Sequence, residues 1–197
     1  MSHDTVTLAS ASPRRAALLR QIGVNHVVRP AGVDEARHPG EAPEAYTRRL
    51  AAAKATVAWL ADPARPVLAA DTAVVLGSEL FGKPADLNDC LRMLAQLSGR
   101  THRVLTAVTV RWASGQEDAL SVSDVTFRAL QPGEAERYWA TGEPRGKAGG
   151  YAIQGLAATF ISCLYGSHSG VMGLPLAETA ALLARAGVRI WNLEVAA

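Results

Sequence analysis

The sequence predicts an α/β fold, a mixed sheet covered by helices and arranged as two lobes around a central cleft. Three observations carry this. Apolar runs of strand length, such as Val67-Leu-Ala-Ala70, alternate with segments whose apolar residues recur at helical spacing, as at Leu87, Leu91, Leu94 and Leu97. A β-branched stretch at 103–112 meets a Ser114-Gly115 turn and a second such stretch at 118–127, the pattern of a hairpin. Strand and helix signals follow one another without a repeat, charge block or low-complexity linker, so one domain over residues 1–197 is expected.

The elements follow in order. Residues 5–9 read as a short strand. Ser12 caps a helix to about residue 22, with Pro13 at its first position, where a missing N–H costs nothing. Residues 27–29 suit a second strand, and 31–40 a polar loop. Pro43 opens a helix with an expected apolar stripe of Tyr46, Leu50, Ala53, Val57 and Leu60. A buried strand is expected at 66–70, with 73–76 continuing extended. Gly77-Ser78 and Gly82-Lys-Pro84 are turn material. Asp86 caps the leucine-faced helix, and Gly99 stops it. After the hairpin, Pro132 starts a helix to about residue 140, 143–155 form a glycine-rich loop, and 158–165 a strand. Pro175 begins the last helix, Gly187 closes it, and the tail from residue 188 to residue 197 adds a short strand.

Bulk properties exclude several function classes. Net charge is only +2, so no global field draws the chain to nucleic acid or an anionic membrane, and any basic site must be local. No run approaches about 18 apolar residues, so no membrane span is expected. Cys90 and Cys163 match no metal or redox spacing and read as buried thiols. With no export signal or disulfide framework, the expected location is cytoplasmic.

The chemistry begins at residue 8. Arg14 and Arg15 fall in the first turn of the first helix, where the dipole is already positive and each cation costs roughly 0.3–1 kcal/mol. No acid lies nearby in sequence to offset them. Either an anion is held there, or both arginines splay into water. Asp71 follows a buried strand, where α/β folds place site carboxylates; its alternative is an Asx turn with Thr72. Asp34-Glu35 offers oxygen ligands for a hard cation, or a solvated acid pair. Lys54 lies at the edge of its helix's apolar stripe, from which its ammonium reaches a neighbouring cleft. Lys83 lies between Gly82 and Pro84, in extended backbone open to a ligand; both lysines have solvation as the alternative. Gln154 lies in a glycine-rich segment, where its amide is suited to reading a base or the segment is only a structural loop.

Other motifs fail. Gly142-Glu-Pro-Arg-Gly-Lys-Ala148 is too short for a P-loop, and Gly166-Ser-His-Ser-Gly170 has His where a nucleophile elbow needs Ser. The histidines show no zinc spacing, and His102 and His168 read as polar core or site lining. The four tryptophans are too dispersed for a stacking platform.

Taken together, Ser10-Ala-Ser-Pro-Arg-Arg15, Val33-Asp-Glu35, Leu50-Ala-Ala-Ala-Lys54, Ala70-Asp-Thr72, Gly82-Lys-Pro84, Leu97-Ser-Gly-Arg-Thr-His102, Lys147-Ala-Gly-Gly-Tyr-Ala-Ile-Gln-Gly155 and Val171-Met-Gly-Leu-Pro-Leu176 resemble the Maf family of nucleotide pyrophosphatases. The segments occur in the family's order and cover nearly the whole chain. The resemblance implies a fold similar to inosine-triphosphate pyrophosphatases, a homodimer, and hydrolysis of a nucleoside triphosphate to the monophosphate and pyrophosphate with Mg²⁺ or Mn²⁺.

By position, the resemblance makes Asp71 the catalytic base and has Ser10, Arg14, Arg15, Lys54 and Lys83 hold the triphosphate. It gives Glu35 a role toward metal or water, with Glu35 and Asp71 as the metal carboxylates. Arg14, Thr72 and Gln154 match positions tied to base selection. Asp71-Thr72, Ser98-Gly-Arg-Thr-His102 and Tyr151-Ala-Ile-Gln154 look like the branch acting on dTTP and UTP. Ala52 and Ala53 stand where that branch often carries charge. The alternatives are a pyrophosphatase for 7-methyl-GTP or a modified nucleotide, and a non-catalytic binding regulator, since the family is also associated with cell-division arrest. Weak net charge and the lack of a stacking platform speak against nucleic acid.

Overall fold

The computed structural model describes residues 3–191. Val6, Thr7 and Leu8 are fully buried in strand β1 (Thr5–Leu8), and a strand covered on both faces suits a parallel sheet with helical crossovers. Helix α1 (Pro13–Gln21) leads to β2 (Asn25–Val28), parallel to β1 on one side. Helix α2 (Pro43–Ala61) leads to β3 (Val67–Leu76), parallel to β1 on the other. Then follow β4 (Glu79–Phe81), α3 (Leu87–Leu97), β5 (Thr101–Trp112), β6 (Gly115–Phe127), α4 (Glu134–Ala140), β7 (Ile161–Tyr165), α5 (His168–Met172) and α6 (Leu176–Arg185). The strand order is β2-β1-β3-β5-β6-β7, with β4 beside β3. β4 and β7 pair antiparallel with β3 and β6, so the sheet is mixed, as expected.

The chain divides into two compact units. Of the described residues, the first takes 3–71, 106–121 and 173–191, and the second 72–105 and 122–172. In the first unit, Ala9, Ala55, Ala58, Val67 and Ala69 pack together. The buried face of α2 is therefore Thr47, Leu50, Ala51, Ala55 and Ala58, not the expected stripe: Val57 is 43% and Leu60 74% exposed. Alanines let the helix sit close to the sheet, and the bulkier residues are turned outward.

In the second unit, Asp86 caps α3 as expected, accepting from the Asp89 N–H at 2.9 Å. The helix buries Cys90, Met93, Leu94 and Leu97, with Leu87 half exposed at its start. Other elements are displaced. Residues 158–160 close a 3₁₀ turn rather than open β7, and α4 begins at Glu134 because Gly133 turns left-handed at φ 78°. β4 and α5 are too short to leave a period in the sequence. Cys90 is buried, but Cys163 is exposed on β7. Of the expected tail strand, Val188 makes one isolated bridge with His3, and 192–197 lie outside the described residues.

His102 is a core residue of this unit. Its Nε2 lies 2.8 Å from the Tyr151 hydroxyl, and its ring meets those of Phe127 and Tyr151 edge-on at 5.1 and 5.4 Å. Burial lowers its pKa from 6.5 to about 4. The unfolded chain then binds a proton at a pH where the folded chain does not. Stability is fully present above pH 6.5 and falls as pH drops toward 4, by a total of about 3 kcal/mol from this group. Urea unfolding at pH 7 and pH 4.5 checks this: the loss on acidification is expected to shrink in His102→Gln, and an equal loss in both proteins would remove His102 as its source.

Candidate active site

β1 ends at Leu8, opposite Leu68, while β3 runs on without a break to Leu76. Asp71 therefore lies three residues past the carboxyl end of its parallel neighbour, where open α/β sheets place their ligands. The strand is continuous through Asp71 and Thr72, so the Asx-turn alternative is wrong. Asp71 is 8% exposed, and a carboxylate so placed needs a charged partner.

Lys54 supplies it. Its Nζ lies 2.7 Å from Asp71 Oδ1 and 2.7 Å from Glu35 Oε1. Lys54 falls within the small-residue face of α2, so its stem is packed and its side chain is only 11% exposed. Burial pushes the Asp71 pKa up, while Lys54 and then Arg15 pull it down; the net shift is upward. The result is a more basic carboxylate in a cationic setting, which suits orienting and deprotonating a water.

Glu35 is brought to Lys54 by its own loop. Asp34 turns the chain, accepting from the Ala36 N–H at 2.9 Å, which leaves Glu35 as the member of the acid pair that meets the lysine. Two α2 side chains hold the loop. The Tyr46 hydroxyl donates to the Glu35 carbonyl at 3.0 Å, and Arg49 donates to the Ala36 carbonyl at 3.0 Å while forking onto Glu41 at 2.6 and 2.8 Å. Sequence reasoning missed this: Tyr46 read as part of an apolar stripe, and Arg49 carried no signal.

The helix start adds cations. Ser12 occupies the cap position but makes no side-chain capping bond, and no acid lies in the first turn of α1. Arg15 does not splay into water. Its Nη1 donates to Ser10 Oγ at 3.0 Å and its Nε to the Gly173 carbonyl at 2.7 Å, a partner 158 residues away that no local pattern reveals. Ser10 Oγ also accepts from the Ser12 N–H at 3.2 Å. Burial lowers the Arg15 pKa to about 10, offset by Asp71 and lowered further by Arg14, and the guanidinium stays charged at neutral pH. Ser10, Arg15, Glu35, Lys54 and Asp71 thus converge in the first unit, and Arg14 lies next to Arg15. Thr72, Lys83 and Gln154 belong to the second unit, where Lys83 and Gln154 are exposed and Thr72 is partly buried.

Residues 5–186 match the Maf-like protein family. This chain belongs to the Maf family. The Maf relatives include a dTTP/UTP pyrophosphatase of Cupriavidus metallidurans, 53% identical over 192 residues, covering 92% of this chain and 96% of its own. Another dTTP/UTP pyrophosphatase, from Bordetella parapertussis, is 53% identical and covers 93% of each chain. A third, from Ralstonia nicotianae, is 52% identical over 200 residues, covering 95% of this Maf chain and 97% of its own. Among solved structures, the Staphylococcus aureus Ham1 protein overlaps 62% of this chain and 71% of its own at 14% identity, with a TM-score of 0.47, too partial a likeness to carry an argument. No helix among the described residues is long and apolar enough to cross a membrane.

Proposed function

We propose that this Maf protein is a nucleoside triphosphate pyrophosphatase acting on dTTP and UTP, yielding the monophosphate and pyrophosphate. The observation that carries the reading is Lys54 held at 2.7 Å from both Glu35 and Asp71, with the Arg15 guanidinium close enough to act on both carboxylates. The names of its relatives, at just over half identity across nearly the whole chain, support the substrate. Residues 1–197 are proposed as one catalytic domain that works as a homodimer, as the family resemblance implies; the proposed location is the cytoplasm.

A triphosphate carries about four negative charges, and its hydrolysis is mostly positioning and charge neutralisation. Ser10, Arg14, Arg15 and Lys54, which share the first unit, are proposed to bind the phosphates; for Lys83 the phosphate role rests on the family resemblance alone. Asp71 is proposed to orient a water in line with the α-phosphorus and to take its proton, as pyrophosphate leaves.

A divalent cation, Mg²⁺ or Mn²⁺, belongs to this reading. Among the described residues no three His, Cys, Asp or Glu side chains cluster as a ready cage. Two carboxylates meeting one ammonium nevertheless fit a hard cation that takes its remaining oxygens from phosphates and water. Glu35 and Asp71 would hold it, and when bound it would neutralise charge building on the leaving pyrophosphate.

Gln154 is proposed to read the base, with Arg14 and Thr72 assisting. Its amide offers one donor and one acceptor, complementary to the O4 and N3–H of uracil and thymine. Gln154→Glu removes the donor and favours the amino group of cytosine. The preference for UTP over CTP is expected to fall by about tenfold, the scale of one lost base-edge pair. Specificity constants for the two nucleotides measure it, and an unchanged ratio would take Gln154 out of base selection.

A further inference from the structure

Gln154 sits in a turn closed by the Gly155 N–H, which donates to the Ala152 carbonyl at 3.0 Å. Both flanks of this turn are held by two other side chains of the second unit. The Tyr138 hydroxyl, on α4, accepts from the Ala152 N–H at 3.1 Å. The Glu143 carboxylate accepts from the Leu156 N–H at 3.0 Å through Oε2 and from the Ala157 N–H at 3.2 Å through Oε1. Glu143 Oε1 also accepts from the Tyr138 hydroxyl at 2.7 Å, so the two side chains form one linked clamp.

The clamp is built into the sequence at Gly155. A Cβ there would lie 2.2 Å from Glu143 Oε2, so only glycine admits the carboxylate. Burial pushes the Glu143 pKa up, but the Leu156 N–H, the Tyr138 hydroxyl and the Ala157 N–H outweigh it and hold the carboxyl below its usual range. The charged, acceptor-only form that the clamp needs is therefore the form present at neutral pH. Water would satisfy loop N–H groups about as well. A carboxylate locked to a buried phenol does something water does not: it fixes where those groups lie.

Fixing matters for a glutamine. A base-edge pair forms only with the amide within hydrogen-bond distance and close to linear, so a shift of the turn that carries Gln154 weakens it. Discrimination requires the backbone beneath it to be held.

We propose that Glu143, together with Tyr138, is a positioning residue for base selection, holding the turn at 152–157 so that Gln154 is carried at one place against the base. This rests on the reading of Gln154 given above. The test is steady-state kinetics of Glu143→Gln, Tyr138→Phe and Gln154→Ala with dTTP, UTP and CTP, with melting temperatures alongside. Glu143→Gln and Tyr138→Phe are expected to raise KM for dTTP and UTP about three- to tenfold with kcat within about twofold, the signature of lost substrate binding. Both should lower the preference for UTP over CTP, and Glu143→Asp should recover part of it. A fall in kcat alone, with KM and preference intact, would overturn the proposal and leave Glu143 a purely structural acid. If Gln154→Ala abolishes preference while both clamp variants keep it, only the positioning role fails. If Gln154→Ala itself keeps the preference, the base-reading role fails and takes the clamp's role with it. Should Glu143→Gln not fold, Tyr138→Phe, which removes one hydroxyl from the same clamp, decides alone.

Discussion

Asp71→Asn is expected to lower kcat for dTTP by roughly 10³, within the range of about 10²–10⁴ that one positioned acid–base group supplies. Asparagine keeps the shape of the side chain and the strand around it. It removes the basicity with which a carboxylate takes the proton of water, and the charge that draws Lys54 to 2.7 Å. Because Ser10, Arg14, Arg15 and Lys54 remain, KM at saturating cation should change by no more than about threefold, so that the loss falls mainly on kcat. Pyrophosphate release measured under saturating and limiting dTTP separates the two constants. Turnover near that of the parent protein would remove Asp71 as the base.

Lys54→Met has the second large effect, and its form is diagnostic. The lysine touches both carboxylates, so its loss leaves Asp71, 8% exposed, with burial as the dominant influence and Arg15 as its remaining counter-charge. The Asp71 pKa, already raised, rises further, since the ammonium was lowering it. A base must be ionised to act. The acid limb of the pH–rate profile should therefore move to higher pH in the variant, and activity lost at pH 7 should return in part as pH rises. The loss at the optimum should be on the order of 10²–10³, the usual cost of removing one preorganised charge or donor. An unshifted acid limb would show that the ammonium does not tune Asp71.

How far the sequence reveals this site depends on the range of the interactions. Asp71 was legible because an acid inside a β-branched and alanine run has no reason to be there unless paired. The arginine pair was legible because it opposes the dipole of its own helix. Lys54 is legible at the edge of a stripe, but the stripe itself is shifted, because the packing surface of α2 is largely alanine, which hydrophobic patterning weighs too lightly. The Gly173 carbonyl that holds Arg15 and the Tyr46–Arg49 grip on the Glu35 loop are long-range or backbone contacts with no local signature. In the second unit, Gln154 was legible as an amide among glycines, but the carboxylate that requires Gly155 was not. The elements missed are the shortest, β4 and α5, which hold too few residues for a period to be read, while the starts of α4 and β7 are displaced by the turn at Gly133 and the 3₁₀ turn before β7.

The most direct test of the central claim is pyrophosphate release by the purified protein with Mg²⁺ or Mn²⁺, across the common nucleoside triphosphates and 7-methyl-GTP, with Asp71→Asn in parallel. The account predicts selective cleavage of dTTP and UTP, dependent on the cation and lost in the variant. Preferential cleavage of 7-methyl-GTP, or nucleotide binding without release of pyrophosphate from any substrate, would contradict it.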